Sequence, residues 1–181
     1  MQSVVLIGPY GVGKSTVAEL LATARSQSYY ALDECAWNYY RETGLTPETV
    51  ETVGDFDSPK WQPYHAHAVT RFLHDHQPEI CVMDLGAGHA LYDGCYLDKM
   101  KTVLAPYEVI LLLPSPQLDR SMHDLNVRNS VHAIKQTQPH AEWNTFFLNH
   151  PSSYQLARHI VYTGDKTPLE TSNDILALLH E

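Results

Sequence analysis

Positive charge is scarce in this sequence. Its 181 residues carry 12 Lys and Arg against 21 Asp and Glu, a formal net charge of −9. That balance argues against a broad nucleic-acid surface, which needs a basic field. It leaves room for a local anion site built from backbone N–H groups and one or two cations. Long apolar runs are missing, and none approaches the length of about 18 residues that a membrane span needs. Cysteine is limited to Cys35, Cys81 and Cys95, an odd number with no close metal-type pair. They read as reduced thiols in a cytoplasmic setting. The first apolar run, Val4 to Ile7, meets Gly8 at once. It has no basic leader and no long apolar core, so it reads as a strand rather than a signal peptide. There is no internal repeat, no low-complexity tract, no HExxH pattern and no Asn-Lys-x-Asp guanine-reading motif. Histidine is plentiful, with 11 residues. The pairs His65/His67 and His74/His76 fall two apart, a spacing that does not share a helix face and does not suit a zinc site.

What is present is a globular composition, 44% apolar and 18% charged, sized for one domain over residues 1–181. Short β-branched runs at Ser3–Gly8, Ser28–Leu32, Ile80–Met83, Glu108–Leu113 and His159–Thr163 read as strands. Helical patterns fall between them at Ser15–Arg25, Asp33–Thr43, Pro47–Val53, Tyr64–His76, Leu97–Leu104, from Ser115 or Ser121 toward Asn129, Tyr154–His159 and Pro168–Leu179. Residues 130–151 show no clear period. The alternation predicts an α/β domain with a mostly parallel sheet.

The strongest signal is Gly8-Pro-Tyr-Gly-Val-Gly-Lys-Ser15, a complete phosphate-loop pattern directly after a predicted strand and before a predicted helix. Gly8, Gly11 and Gly13 let the backbone curl, so that N–H groups, Val12 included, converge on phosphate oxygens. Lys14 reaches the β- and γ-phosphates, Ser15 offers a hydroxyl to Mg²⁺, and Thr16 assists at the α-phosphate. A second landmark is Asp84, which closes the run Ile80-Cys-Val-Met-Asp84. A carboxylate at the end of a buried strand can hold the magnesium hydration shell, or can simply turn the chain.

Taken in order, these motifs resemble the shikimate kinase-like group of small P-loop kinases, related to the nucleoside monophosphate kinases, over nearly the whole chain. Leu32-Asp33-Glu34 falls where that family carries its acidic substrate motif. Asp84-Leu-Gly-Ala-Gly-His89 falls where it carries a substrate-touching glycine triplet, and Asn149-His-Pro-Ser-Ser-Tyr154 looks like its arginine-x-proline-leucine-tyrosine segment. Val161-Tyr-Thr163 and the terminal helix match the closing strand and helix. The resemblance implies a three-layer P-loop kinase fold around a five-stranded sheet, with a helical lid over 114–150. It also implies ATP and Mg²⁺ as cofactors, a small-molecule acceptor, no nucleic-acid or membrane partner, and a monomer or homodimer in the cytoplasm.

On that basis Asp33 is the candidate that orients and deprotonates the acceptor hydroxyl; a magnesium-shell or helix-capping role stays open. Gly86, Ala87, Gly88, His89 and His150 are candidate acceptor contacts. Arg120 and Arg128 fall in the lid segment, where an arginine can neutralise the transferring phosphoryl group and stack near adenine; Arg128 is the stronger candidate, with Lys135 a weaker one. Trp37, Tyr39, Tyr40, Trp61 and Tyr64 suit either a pocket wall or the core. The departures concern the acceptor: Ala87 interrupts the glycine triplet, His150 replaces the arginine, and no arginine stands near Tyr64 and His65. Losing bidentate clamps argues that the acceptor is not shikimate. A nucleoside monophosphate kinase would need cations for an acceptor phosphate, and apart from Lys14 of the phosphate loop only Arg25, Arg41 and Lys60 are available before Arg71. An ATP-binding regulatory protein with little kinase activity is the rival of a different class.

Overall fold

Five short strands make one parallel sheet. The computed structural model describes residues 1–55, 58–132 and 140–180. In it β1 (Val4–Ile7), β2 (Tyr29–Ala31), β3 (Val82–Asp84), β4 (Glu108–Leu113) and β5 (His159–Tyr162) lie in the order β2-β3-β1-β4-β5. Every neighbouring pair is parallel, with Leu6 opposite both Asp84 and Ile110. All four residues of β1 are buried, as are the last five of β4. A strand covered on both faces has no solvent side on which to place polar residues, which explains those continuous apolar runs. The edge strand β5 buries only Val161 fully.

Parallel strands need crossovers, and helices supply them. They are α1 (Lys14–Arg25), α2 (Ala36–Glu42), α3 (Gln62–Asp75), α4 (Gly94–Leu104), α5 (Leu118–His132), α6 (His140–Asn149), α7 (Pro151–Leu156) and α8 (Pro168–Leu179). α1 packs against α8, while α2, α3, α4 and α7 form a contiguous series, so helices flank the sheet in three layers. α8 starts on a capping box in which Thr167 and Glu170 satisfy each other's backbone N–H groups.

The bounds of β4 and α8 match the sequence reading. Others, such as α4 and α7, are shifted in their bounds, and three differ in kind. The Asp33–Thr43 helix splits: Leu32–Glu34 is a 3-10 turn, and α2 begins at Ala36 behind Cys35. Asp33 therefore caps no α-helix. Pro47–Val53 shortens to a 3-10 turn over Val50–Thr52. The segment ending at Trp61 is tied down instead by that side chain, which is buried and donates its indole N–H to Gly54 O at 3.0 Å. The aperiodic stretch 130–151 contains α6, which packs on α5. Lys135 lies outside the described residues.

Candidate active site

In an open parallel sheet, functional groups gather where the strands end. Here the phosphate loop leaves β1, Asp33 follows β2, Asp84 ends β3, and Thr163-Gly164 follows β5. The loop's glycines do two kinds of work. Gly8, Gly11 and Gly13 all have positive φ, with Gly13 at +100° directly before α1. Gly11 also lies so close to α5 that a Cβ there would overlap Asn129 Oδ1.

The Ser15 hydroxyl donates to Asp84 Oδ2 at 2.6 Å, which unites the two sequence landmarks. Asp84 is buried, and its other oxygen, Oδ1, has no hydrogen-bond partner. Burial raises this carboxyl above the usual aspartate range and nearby Asp33 adds to the rise, while Lys14 and Ser15 oppose it. An orphaned buried carboxylate oxygen beside a hydroxyl is a hard donor set that suits Mg²⁺, which takes one or two protein oxygens and fills its shell with water and phosphate. The site therefore fits the ion, with Ser15 and Asp84 as the residues that would hold it or its water. Among the described residues no group of three His, Cys, Asp or Glu could hold a metal ion. Lys14 Nζ rests on Pro9 O at 3.3 Å, folded back over its own loop.

Asp33, after β2, lies within electrostatic reach of Lys14 and Asp84. Its side chain remains 70% exposed, and the protein packed on its other side raises its carboxyl, with Lys14 opposing. Gly86 gives it room, because a Cβ at that position would overlap the Asp33 carboxylate. Ala87, Gly88 and His89 form the next turn, with Gly88 packed under the His65 ring. His65 and His89 are both buried.

The two arginines part company. Arg128 donates from NH1 to Val12 O (3.4 Å) and Thr163 Oγ1 (3.2 Å), and from NH2 to Gly164 O (2.7 Å). It thus braces the phosphate loop against the β5–α8 connection. Arg120 lies further out, pairing with Asp165 at 3.2 Å and Asp124 at 3.8 Å. Thr16 is exposed on the first turn of α1.

A hollow of about 280 Å³ opens beside the 87–90 turn, bordered by Trp61, Gln62, His65, Asp93, Phe146 and His150. His150 caps α7 through its Nδ1, which accepts from Ser152 N, and its Nε2 lies 3.5 Å from Asp93 Oδ1. Gln62 holds the same carboxylate from its amide at 3.1 Å. No Lys or Arg lines this hollow among the described residues. A second hollow, of about 250 Å³, lies between α4, α7 and β4 and touches none of the candidate residues. Of the aromatics, Tyr39, Tyr40 and Trp61 are buried, while Trp37 is 40% exposed.

Two contacts have no counterpart in the sequence reading. Asn144 of α6, fully buried, accepts from Tyr10 N and donates to Tyr10 O, both at 3.0 Å. It pins the phosphate loop from a residue 134 positions away. Tyr40 places its hydroxyl 2.7 Å from His89 Nε2. An Asn within a helix and a Tyr in an aromatic run carry no local mark of such partners.

No protein-family model matches the chain. A shikimate kinase from Streptomyces avermitilis is 27% identical over 177 residues, covering 97% of this chain and 94% of that relative. Among solved structures, shikimate kinase from Acinetobacter baumannii in complex with shikimate superposes with a TM-score of 0.66 at 19% identity, over 99% of this chain and 93% of that one. A gluconokinase from Sinorhizobium meliloti 1021 superposes with a TM-score of 0.60 at 20% identity, over 98% and 93%. The full-length likenesses, together with a complete phosphate loop on a 2-3-1-4-5 parallel sheet, show that the chain has the fold of the small P-loop kinases and is similar in sequence to shikimate kinases.

Proposed function

We propose that the protein is an ATP-dependent phosphotransferase that acts on a hydroxyl of a small molecule other than shikimate. The observation that carries this reading is the Ser15–Asp84 pair at the phosphate loop, with Lys14 and Asp33 within electrostatic reach of it. ATP phosphates lie along Gly8, Gly11, Val12 and Gly13, with Lys14 on the β- and γ-phosphates and Thr16 near the α-phosphate. Magnesium, when bound at Ser15 and Asp84, supplies charge neutralisation at the β- and γ-oxygens. The acceptor oxygen forms the new bond to the γ-phosphorus, the bond to the β,γ-bridging oxygen breaks, ADP leaves, and the hydroxyl proton passes to Asp33. Arg128 and Arg120 serve the nucleotide's side of the cleft, and closure of 114–150 excludes water.

The acceptor belongs in the hollow that Gly88 and His150 border, beside Gly86 and Ala87, while His89 is buried behind Asp33 and does not line it. Its border presents Asp93 and no arginine or lysine among the described residues. An anion such as shikimate would meet a carboxylate where it needs a bidentate cation. The same border disfavours an acceptor that already carries phosphate, hence the nucleoside monophosphate kinase reading. The shikimate kinases similar to this chain supply the reaction type, while the departures at Ala87 and His150 support a different acceptor. We further propose a cytoplasmic protein with neither nucleic-acid nor membrane partners, on the net charge of −9 and on the lack, among the described residues, of any helix long and apolar enough to cross a membrane. A panel of neutral and aminated polyols with Mg-ATP, read by acceptor-dependent ADP formation and product mass, tests the reading. ATP binding with neither acceptor-dependent ADP formation nor phosphorylated product from any acceptor would favour the ATP-binding regulatory alternative.

A further inference from the structure

Behind Asp33 lies a buried histidine that the phosphotransfer reading leaves unused. The His89 side chain is 6% exposed. Its Nε2 is 2.7 Å from the Tyr40 hydroxyl, and its Nδ1 is 3.6 Å from Asp33 Oδ1, with the Gly86 backbone near it but no partner at hydrogen-bond distance. An unpartnered buried nitrogen aimed at a cleft carboxylate calls for an explanation. We propose that His89, fixed by Tyr40, is a positioning residue for Asp33: the Tyr40 hydroxyl donates to Nε2, which leaves the imidazole proton on Nδ1, facing Asp33. The proposal rests on the reading of Asp33 as the group that receives the acceptor's proton.

The arrangement suits a carboxylate that must stay basic. A neutral N–H donor fixes the direction of Asp33 without cancelling its charge, whereas an imidazolium would pair with it and weaken it as a base. Burial depresses His89 to a pKa of about 4, the Gly86 backbone opposes that shift, and Lys14 adds to it. The titratable groups around the ring are Asp33 from the 3-10 turn, Tyr40 from α2, His65 from α3 with ring centroids 4.8 Å apart, and Lys14 from α1. Tyr92, buried three residues further along the chain, is held well above its ordinary pKa by burial, with Tyr40 adding to the shift. The Tyr40 and His89 rings are close to parallel, at 15° with centroids 6.1 Å apart, so α2 locks the plane of the imidazole. At 3.6 Å the Nδ1–Asp33 contact is longer than a hydrogen bond; catalytic contacts of this kind commonly tighten when substrate fills the site. Gly86 is what lets Asp33 lie within reach.

Two measurements on the full chain test the proposal without knowledge of the acceptor. The first is ¹⁵N NMR of the histidine rings. His89 is expected as the neutral Nδ1–H tautomer at neutral pH, Tyr40→Phe should release it into a tautomer mixture, and Asp33→Asn should shift its Nδ1 resonance. The second is Mg-ATP hydrolysis with water as the acceptor. His89→Asn keeps an N–H near the Nδ1 position and should hold kcat near wild type. His89→Gln keeps only the Nε2 side and should lower kcat roughly tenfold with KM for ATP unchanged. An Nε2–H tautomer in the wild type, or equal kcat for the Asn and Gln variants alongside a loss in Asp33→Asn, overturns the His89 proposal alone. Unchanged turnover in Asp33→Asn overturns the reading of Asp33 as base, and the role of His89 with it.

Discussion

Asp33 lies across Gly86, with its carboxylate in the space that a Cβ on Gly86 would need. The backbone at Gly86, φ −58° and ψ 155°, is open to any residue, so only the side-chain contact demands glycine. Gly86→Ala should therefore be absorbed by a swing of the exposed Asp33 side chain. Stability should change by less than about 1 kcal/mol, while kcat for phosphotransfer falls at least roughly tenfold as the carboxylate leaves its place. Thermal unfolding and steady-state kinetics on one preparation separate the two effects; unchanged kcat would show that the position of Asp33 does not matter.

Ser15 and Asp84 should behave as a metal-holding pair rather than as a packing pair. Asp84 buries a charge with one oxygen unpartnered, an arrangement unfavourable to the apoprotein. Asp84→Asn should leave apoprotein stability equal or higher, yet weaken Mg-ATP binding more than magnesium-free ATP binding. Ser15→Ala should raise the magnesium concentration that gives half-maximal turnover. Calorimetry with and without chelator checks both, and equal affinities in the two conditions would count against the assigned role.

Much of this site is visible in the sequence because it is local. A phosphate loop needs glycines, Lys14 and Ser15 at fixed spacing between a strand and a helix, and those marks lie within one short segment. The buried strand β4 is equally plain, since full coverage forces a continuous apolar run. Asp33 was open to a capping role because Asp is common at helix starts; the split of its helix at Cys35 removes that role. Partners far apart in the chain leave no such trace. Asn144 sits in a polar, aperiodic stretch, and nothing near it points to Tyr10. Likewise, burial separates Tyr40 from Trp37 only once α2 has docked on α3.

Asn144 offers a third test. Its side chain satisfies both the N–H and the C=O of Tyr10 in a buried setting. Asn144→Ala should cost about 1–3 kcal/mol, slightly offset by the better helix propensity of Ala. Asn144→Asp keeps the shape, loses the donor and adds charge beside the phosphate site, so it should weaken ATP binding more than Asn144→Ala does. Denaturant unfolding and ATP calorimetry supply the two readouts.

The buried histidines set a pH dependence. His89 is depressed from 6.5 to about 4 and His65 is lowered well below its usual value, in both cases chiefly by burial. Between 6.5 and the folded value the unfolded chain binds more protons than the folded one, so stability falls as pH falls, by at most about 1.4 kcal/mol per pH unit for each group. Asp33 and Asp84, raised by burial, act in the opposite sense nearer the ordinary aspartate range, so the slope should be steepest inside the interval between 6.5 and about 4 rather than at either end. Urea unfolding across mildly acidic pH should show the loss, and His89→Asn should flatten it. A wild-type slope equal to that of the variant would mean that His89 titrates normally.

The most direct test of the central claim is steady-state phosphotransfer at saturating Mg-ATP, with shikimate measured beside neutral and aminated polyols and each product identified by mass. The expected result is a kcat/KM above about 10⁴ M⁻¹s⁻¹ for a hydroxylated acceptor without a carboxylate, and a value well below that for shikimate. A kcat/KM for shikimate at or above about 10⁴ M⁻¹s⁻¹, with phosphorylated shikimate as the product, would contradict it.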